Sequence, residues 1–113
     1  MIATFVHEGR AVDFVPAADV ANGDVVVIGE LVGIALGAVA TGQVGSMALD
    51  GVYDLPKAIG AGTALAAGTK VNWDATAKVV TTAAGGGGVN KLVGKTLNAV
   101  GVNDTTVRVR LSQ

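Results

Sequence analysis

Hydrophobic and polar residues alternate with a period of two wherever the chain is not rich in glycine. The clearest example is the last segment, where Val107, Val109 and Leu111 alternate with threonine and arginine. Such alternation is typical of strands with one buried face, because successive side chains point to opposite sides of a sheet. No long window shows the 3.6-residue period of an amphipathic helix. The pattern therefore predicts an all-β fold.

Two hairpins are predicted from turn residues that separate apolar runs. Residues 25–28 and 31–36 flank Gly29-Glu30, a pair suited to a two-residue turn. Residues 70–73 and 78–82 flank a four-residue turn that Asp74 opens. We expect Trp73 to anchor this second hairpin.

The longest alternating segment, residues 47–55, predicts one strand that is bent by a bulge at Gly51 and ended by Pro56. Residues 57–67 are rich in alanine but are interrupted by glycine, so they are expected to hold no more than a short turn. Residues 83–88 contain four successive glycines and predict a flexible connector.

A comparison of the sequence with itself indicates a weak two-fold internal repeat. Residues 31–39 align with residues 92–100 at an offset of 61, and six of the nine positions are identical. Upstream, residues 20–25 resemble residues 65–71 at an offset of 45. The difference between the offsets, 61 − 45 = 16 residues, would correspond to an extra hairpin and the glycine run.

The length of 113 residues predicts a single β domain over residues 1–113, with residues 1–8 as an N-terminal arm. Turn signals recur about every 8–12 residues, and an open sheet would leave its edges unpaired. These features predict a small β-barrel or β-sandwich of roughly eight to ten short strands. Its predicted core consists of Val27, Leu31, Ile34, Leu36, Leu49, Tyr53, Val71, Trp73, Val79, Leu92, Leu97, Val107, Val109 and Leu111.

The composition narrows the classes of partner. Charged residues make up 15% of the chain and the net charge is -1, so we expect no binding to nucleic acid or to an anionic membrane. The apolar stretch 25–40 contains Glu30 and too much valine and glycine for a membrane helix. Cysteine is absent, which excludes disulfides and thiolate metal sites. The first residues do not resemble a secretory signal, which predicts synthesis in a cytoplasm.

No segment predicts a catalytic, cofactor or metal site. Residues 88–96 approach a phosphate-binding P-loop, but the segment is one residue too long and no helix start follows it. His7 is the only histidine, and the carboxylates are scattered, with Asp50 and Asp54 as the closest pair on one strand face. We therefore expect no enzyme activity.

A small chain with few charges and half of its residues hydrophobic cannot hide all of its apolar surface, which favours self-association. Large side chains are the usual anchors of such contacts, and Tyr53 and Trp73 are candidates, although both also suit a core. The N-terminal arm alternates apolar and polar residues, so Ile2 and Phe5 are further candidates. The arm would either add a strand to the sheet edge of a partner or pair within its own barrel.

The order of several short segments resembles a known family over nearly the whole chain. These segments are FVHEG at 5–9, NGDVVV at 22–27, LVGIA at 31–35, GVYDLPK at 51–57, GTKVNWD at 68–74 and TTVRVRL at 105–111. The most specific parts are YDLPK at 53–57 and WDAT at 73–76. The chain resembles small tailed-phage and prophage proteins that look like capsid cement, or decoration, proteins and are often labelled predicted RecA-type phage recombinases.

The resemblance implies an all-β structural protein that binds the outside of the assembled phage head. Its partner would be the lattice of the major capsid protein, and its location would be the virion. Avidity favours a homo-oligomer, a dimer or a trimer, because the head presents many identical sites. The alternatives are a recombination accessory protein and a self-associating β module without catalytic activity.

Overall fold

The computed structural model of the protein describes residues 3–6 and 9–112. In this part of the chain, nine strands account for nearly all of the regular structure, together with one turn of 3-10 helix at Gly86–Gly88. The strands are β1 (Ala11–Phe14), β2 (Val25–Ile28), β3 (Leu31–Ala35), β4 (Gly45–Ala48), β5 (Val52–Pro56), β6 (Lys70–Asp74), β7 (Val79–Thr81), β8 (Lys91–Thr96) and β9 (Thr106–Leu111). The predicted all-β fold is confirmed.

The strands form two antiparallel sheets that do not close into a barrel. The first sheet has the order β1-β4-β3-β2 and the second the order β5-β9-β8-β6-β7. We call residues 9–50 the first half and residues 51–112 the second half. Because Val32 and Ile34 of β3 are buried in one cluster with residues of the second sheet, the two sheets pack against each other. Of the two predicted architectures, a barrel and a sandwich, this arrangement matches the sandwich.

The predicted internal repeat is present in the strand pairing. The order β1-β4-β3-β2 is repeated by β5-β9-β8-β6, and the loops that bridge within each half also correspond. The equivalent pairs are Val20↔Val39 with Leu65↔Val100, Val26↔Gly33 with Val71↔Gly94, and Ala35↔Met47 with Thr96↔Val109. The offsets of 45 and 61 found in the sequence therefore connect residues with the same structural role, and only Met47 and Val109 differ by 62.

The two halves differ at one place, the segment that contains β7. This strand pairs with β6, and its Val80 also forms a parallel bridge with Lys57, just beyond the end of β5. This single bridge links β7 to the residue that follows β5, the other outer strand of the second sheet. Among the described residues, the first half has no strand that corresponds to β7. The insertion that separates the two sequence offsets is thus a strand together with the glycine run that follows it.

Two hydrophobic clusters form the core. The main core holds Val32 and Ile34 from the first half and most of the buried residues of the second half. The small core lies within the first half, where Phe14, Val26 and Met47 are among its members. Each half therefore has apolar packing of its own, and β3 contributes to both cores because its alternate residues face opposite ways.

Both predicted hairpins are confirmed. Strands β2 and β3 pair in register from Val25↔Ile34 to Ile28↔Leu31, and Gly29 has a φ of +59 in the two-residue turn. In the second hairpin, one Asp74 carboxylate oxygen accepts hydrogen bonds from the backbone N–H groups of residues 76 and 77, each at 3.0 Å. Residues 57–67 contain turns and no helix.

The prediction of one strand over residues 47–55 is wrong. Strand β4 ends at Ala48 and β5 begins at Val52, and the two strands belong to different sheets. Gly51 has a φ of +110, a conformation that L side chains rarely adopt, at the point where the chain passes between the sheets. Alternation continues across this point because both strands bury a face, one in the small core and one in the main core.

Three residues of the predicted core are exposed. Leu36 and Leu97 occupy equivalent positions after β3 and β8 and are 52% and 49% exposed, and Val27 at the edge of the first sheet is 38% exposed. Leu36 shares a face with Val32 and Ile34 but lies beyond the part of that face that the second half covers. The other predicted core residues are buried or half-buried.

Candidate interaction surface

Six of the nine residues that approach a P-loop in sequence, 91–96, belong to a strand. Residues 91–96 form β8, which pairs with both β6 and β9. The hydroxyl of Thr96 is buried, where it donates a hydrogen bond of 2.7 Å to the carbonyl of Ala66 and accepts one of 2.9 Å from the N–H of Thr69. The Thr96 hydroxyl thus binds the loop before β6 to β8. The segment therefore continues into a strand and not into the helix start that a phosphate site requires.

The ion pairs shown among the described residues are separate pairs and not a cluster. Arg108 donates two hydrogen bonds to Asp54 across β9 and β5, at 3.0 and 3.3 Å. The hydrogen bond to Arg108 lowers the pKa of Asp54, and the same contact raises the pKa of the guanidinium. No group of three or more histidine, cysteine, aspartate or glutamate residues within the described part of the chain could hold a metal ion. His7 lies outside the described residues.

Lys57 is a buried charge that the sequence patterns did not reveal. Its ammonium group donates to the carbonyl of Ala58 at 2.7 Å and to the carbonyl of Asp104 at 3.2 Å, and the residue is only 5% exposed. Its backbone N–H also donates to the carbonyl of Thr105 at 2.8 Å. Lys57 thus fastens the end of β5 to the loop before β9, which gives it a structural role.

The four side chains predicted to make contacts lie in different environments. Phe5 is 80% exposed, Tyr53 is half-buried against the main core, and Trp73 is 7% exposed within that core. Ile2 lies outside the described residues. Because Trp73 is buried in the core, it is not part of an exposed surface patch. Their participation in contacts stays a prediction.

The described part of the N-terminal arm is apolar and unpaired. Residues 3–6 belong to no strand, and the side chains of Phe5 and Val6 are 80% and 82% exposed. These are the two most exposed of the large hydrophobic residues described. Exposed apolar groups of this size gain free energy when a partner covers them, so the arm is a candidate contact element.

An open groove lies between β1 and β2, the two outer strands of the first sheet. It has a volume of about 330 Å³ and is lined by residues 14–18 and 25–28 together with Val20. Its lining residues are all phenylalanine, valine, isoleucine, proline or alanine, and Val27 and Ile28 among them are 38% and 46% exposed. We refer to it as the β1–β2 groove. A second cleft, of about 390 Å³, lies between the halves and includes Val25, Leu55 and Trp73 among its lining residues.

By its fold, the chain is a small all-β protein made of two related antiparallel sheets, and no helix in its described part is long and apolar enough to cross a membrane. A family model described as phage cement protein matches residues 6–111 of the 113-residue chain. The chain therefore belongs to the phage cement protein family, whose description indicates a structural protein of the phage capsid. No curated protein and no solved structure matches the chain.

Proposed function

We propose that this protein binds the outside of an assembled phage head as a small homo-oligomer and stabilises the head against rupture. The observation that carries the proposal is the family match over residues 6–111. Its partner is the lattice of the major capsid protein, and its place of action is the virion surface. Synthesis in the host cytoplasm and action without enzymatic chemistry are parts of the same proposal.

The exposed apolar surface supports this role. Half of the residues are hydrophobic, and the arm, the β1–β2 groove and the equivalent residues Leu36 and Leu97 leave large side chains uncovered. Burial of such surface at a protein contact is favourable by about 25 cal/mol per Å² before the costs of association. Many identical sites on a head allow weak individual contacts to act together when subunits also bind one another.

The recombination alternative has less support. It requires a nucleotide site or a basic surface, whereas residues 91–96 form β8 and the net charge is -1. Lys95, the exposed lysine of the P-loop-like segment, provides a direct test. A Lys95→Ala variant is expected to bind heads as the natural protein does, because only a phosphate site depends on that amine.

The proposal is tested by co-sedimentation with expanded, cement-free heads of the matching phage, followed by a thermal release assay of the genome. We expect saturable binding at a stoichiometry set by the lattice symmetry, and genome release at a higher temperature when the protein is bound. Binding to the assembled state stabilises that state by mass action. Heads of an unrelated phage serve as the control. Absence of saturation, or unchanged genome release at saturation, contradicts the proposed function.

A further inference from the structure

The internal repeat shows what is missing from the β1–β2 groove. In the second half, Val80 of β7 is 3% exposed and packs in the main core with Leu55, Leu65, Val71 and Trp73. The equivalents of these four residues in the first half are Phe14, Val20, Val26 and Ile28. All four line the β1–β2 groove. The groove is therefore the place that β7 occupies in the other half.

The backbone at this edge of the first sheet is arranged to receive a strand. The carbonyl of Asp24 accepts a hydrogen bond of 2.8 Å from the N–H of Ala35, and the residues of an antiparallel pair bond to the partner strand alternately. The N–H and C=O groups of Val25 and Val27 therefore face away from β3. In the described part of the chain, β2 pairs with β3 alone. In the second half, the equivalent of Val27 is Asn72, which pairs with Thr81 of β7.

The N-terminal arm has the composition that the groove requires. Residues 79–81 of β7 read Val-Val-Thr, and residues 4–6 of the arm read Thr-Phe-Val. A strand that places Phe5 where β7 places Val80 would bury the aromatic ring among the apolar groove residues. It would also place Val6 opposite Val27, as Thr81 lies opposite Asn72. The exposed apolar side chains of the arm would then be buried against the apolar residues of the groove.

The arm of the same chain is too short to occupy the groove in this orientation. The bridge between Val80 and Lys57 is parallel, so an equivalent strand must lie beside Pro16 and run in the direction of β1. The return from Pro16 to Ala11 covers roughly 17 Å of extended chain. The links from Val6 to Ala11 also span at most roughly 17 Å, and they would have to reverse direction as well. The strand must therefore come from another copy.

We infer that residues 4–6 of one copy add an antiparallel strand to β2 of a neighbouring copy and insert Phe5 into its β1–β2 groove. Exchange of this kind closes as a dimer or as a cyclic trimer, in which every arm and every groove is filled. The inference specifies the self-association that is part of the proposed function, and its test does not require phage heads.

Cysteine cross-linking tests the register. The natural chain has no cysteine, so a Val6→Cys variant and a Val27→Cys variant each carry a single thiol, and a heterodimeric disulfide in their mixture joins residue 6 of one copy to residue 27 of the other. Directly opposed, hydrogen-bonded residues have Cα atoms about 5.5 Å apart, within the range of disulfides. We expect this mixture to give several-fold more heterodimer than Val6→Cys mixed with Val44→Cys, which places the thiol at an exposed valine outside the groove. Equal yields overturn the inference.

Oligomeric state provides the second test, measured by sedimentation at micromolar concentration. We expect the natural protein to be a dimer or trimer, and both Phe5→Asp and Val27→Pro to be monomers. Mixing these two variants should restore a complex, because one retains a usable groove and the other a usable arm. Val44→Asp and Val27→Thr are the matched controls and should stay oligomeric, since Val27→Thr keeps the N–H. Trp73 fluorescence verifies that each variant is folded. A monomeric natural protein, or an oligomeric Phe5→Asp variant, overturns the inference.

The two proposals fail separately. If the heterodimeric disulfide forms but the natural protein does not bind heads, the proposed function is wrong and the arm exchange stands. If the natural protein saturates heads but the cross-link is absent and Phe5→Asp sediments unchanged, the arm exchange is wrong and the cement role stands.

Discussion

Two glycines in equivalent positions allow the central strands to lie close to their neighbours. A Cβ atom added to Gly33 would lie 2.7 Å from the carbonyl oxygen of Ala48, and one added to Gly94 would overlap the carbonyl oxygen of Arg110. Both obstacles are backbone atoms of the adjacent strand, which cannot rotate away as a side chain can. The repeat therefore preserves a glycine at this site for steric reasons, independent of turn geometry.

We expect Gly94→Ala to lower the free energy of unfolding by about 3 kcal/mol, since overpacking forces β8 and β9 apart. Gly37→Ala is the matched control, because no atom lies within 4 Å of its added methyl group and its φ is not positive. That variant should be as stable as the natural protein or slightly more stable. Urea denaturation measures both. A Gly94→Ala protein of natural stability would show that the two strands can separate without cost.

At the scale of elements, the loops of the first half are tied to one another beside the β1–β2 groove. The carboxylate of Asp19 accepts hydrogen bonds from the N–H of Thr41 at 2.7 Å and from its hydroxyl at 2.8 Å. The N–H of Gly42 also donates to the carbonyl of Pro16. The loop between β3 and β4 thus holds the segment that follows β1, which forms one wall of the groove.

The hydrogen bonds from Thr41 to Asp19 should make part of the folding stability sensitive to acid. The backbone N–H of Thr41, and then its hydroxyl, lower the pKa of Asp19 in the folded protein. A carboxylate with a lowered pKa contributes stability above the unfolded pKa, about 3.9, and loses it as the pH falls through the folded value. We expect the urea midpoints of the natural protein and of Asp19→Ala to differ at neutral pH. The difference should vanish when the pH falls below the pKa of Asp19 in the folded protein.

Asp13→Ala is the control for this comparison, because Asp13 is an exposed carboxylate of the same half, in β1. This variant measures the effect of removing an exposed carboxylate other than the one that accepts the Thr41 hydrogen bonds. If the Asp19→Ala difference is constant from neutral pH into acid, the Thr41 contact does not stabilise the folded state.

At the scale of the whole molecule, the two halves share one core although each repeats the same strand order. Val32 is fully buried and Ile34 is 3% exposed, and both belong to the cluster that includes Trp73 and Val93 of the second half. An ion pair of 2.9 Å between Glu30 and Lys91 also joins the halves, at positions related by the offset of 61. Neither half can unfold without exposing apolar surface of the other.

We therefore expect a core substitution in the first half to destabilise the second half equally. Met47→Ala empties a fully buried position of the small core and should cost about 3 kcal/mol. Trp73 is the only tryptophan and lies in the second half, so its fluorescence reports the unfolding of that half. The fluorescence and circular dichroism transitions in urea should coincide and shift together. Val44→Ala, at a position 70% exposed, is the control. An unshifted Trp73 transition would mean that the halves unfold independently.

The groove was not predicted from the sequence, although the sequence contains a signal for it. A self-comparison that shows an inserted strand in one half also implies that the other half lacks that strand, and therefore has an open edge. The difference of 16 residues between the offsets was such a signal. The partial exposure of Val27 and Ile28 could not be found in this way, because alternation shows that a strand has an apolar face without showing what covers it.

The sequence by itself determined the all-β class, the two hairpins and the repeat, because these depend on local alternation, on turn residues and on similarity between segments. Tertiary structure alone decided that residues 47–55 divide between two sheets at Gly51 and that Leu36 and Leu97 stay exposed. The physical reason is that a period of two identifies a buried face of a strand but contains no information on which sheet the strand joins. Which partner covers a face depends on contacts between residues far apart in the chain, and only the folded arrangement brings those together.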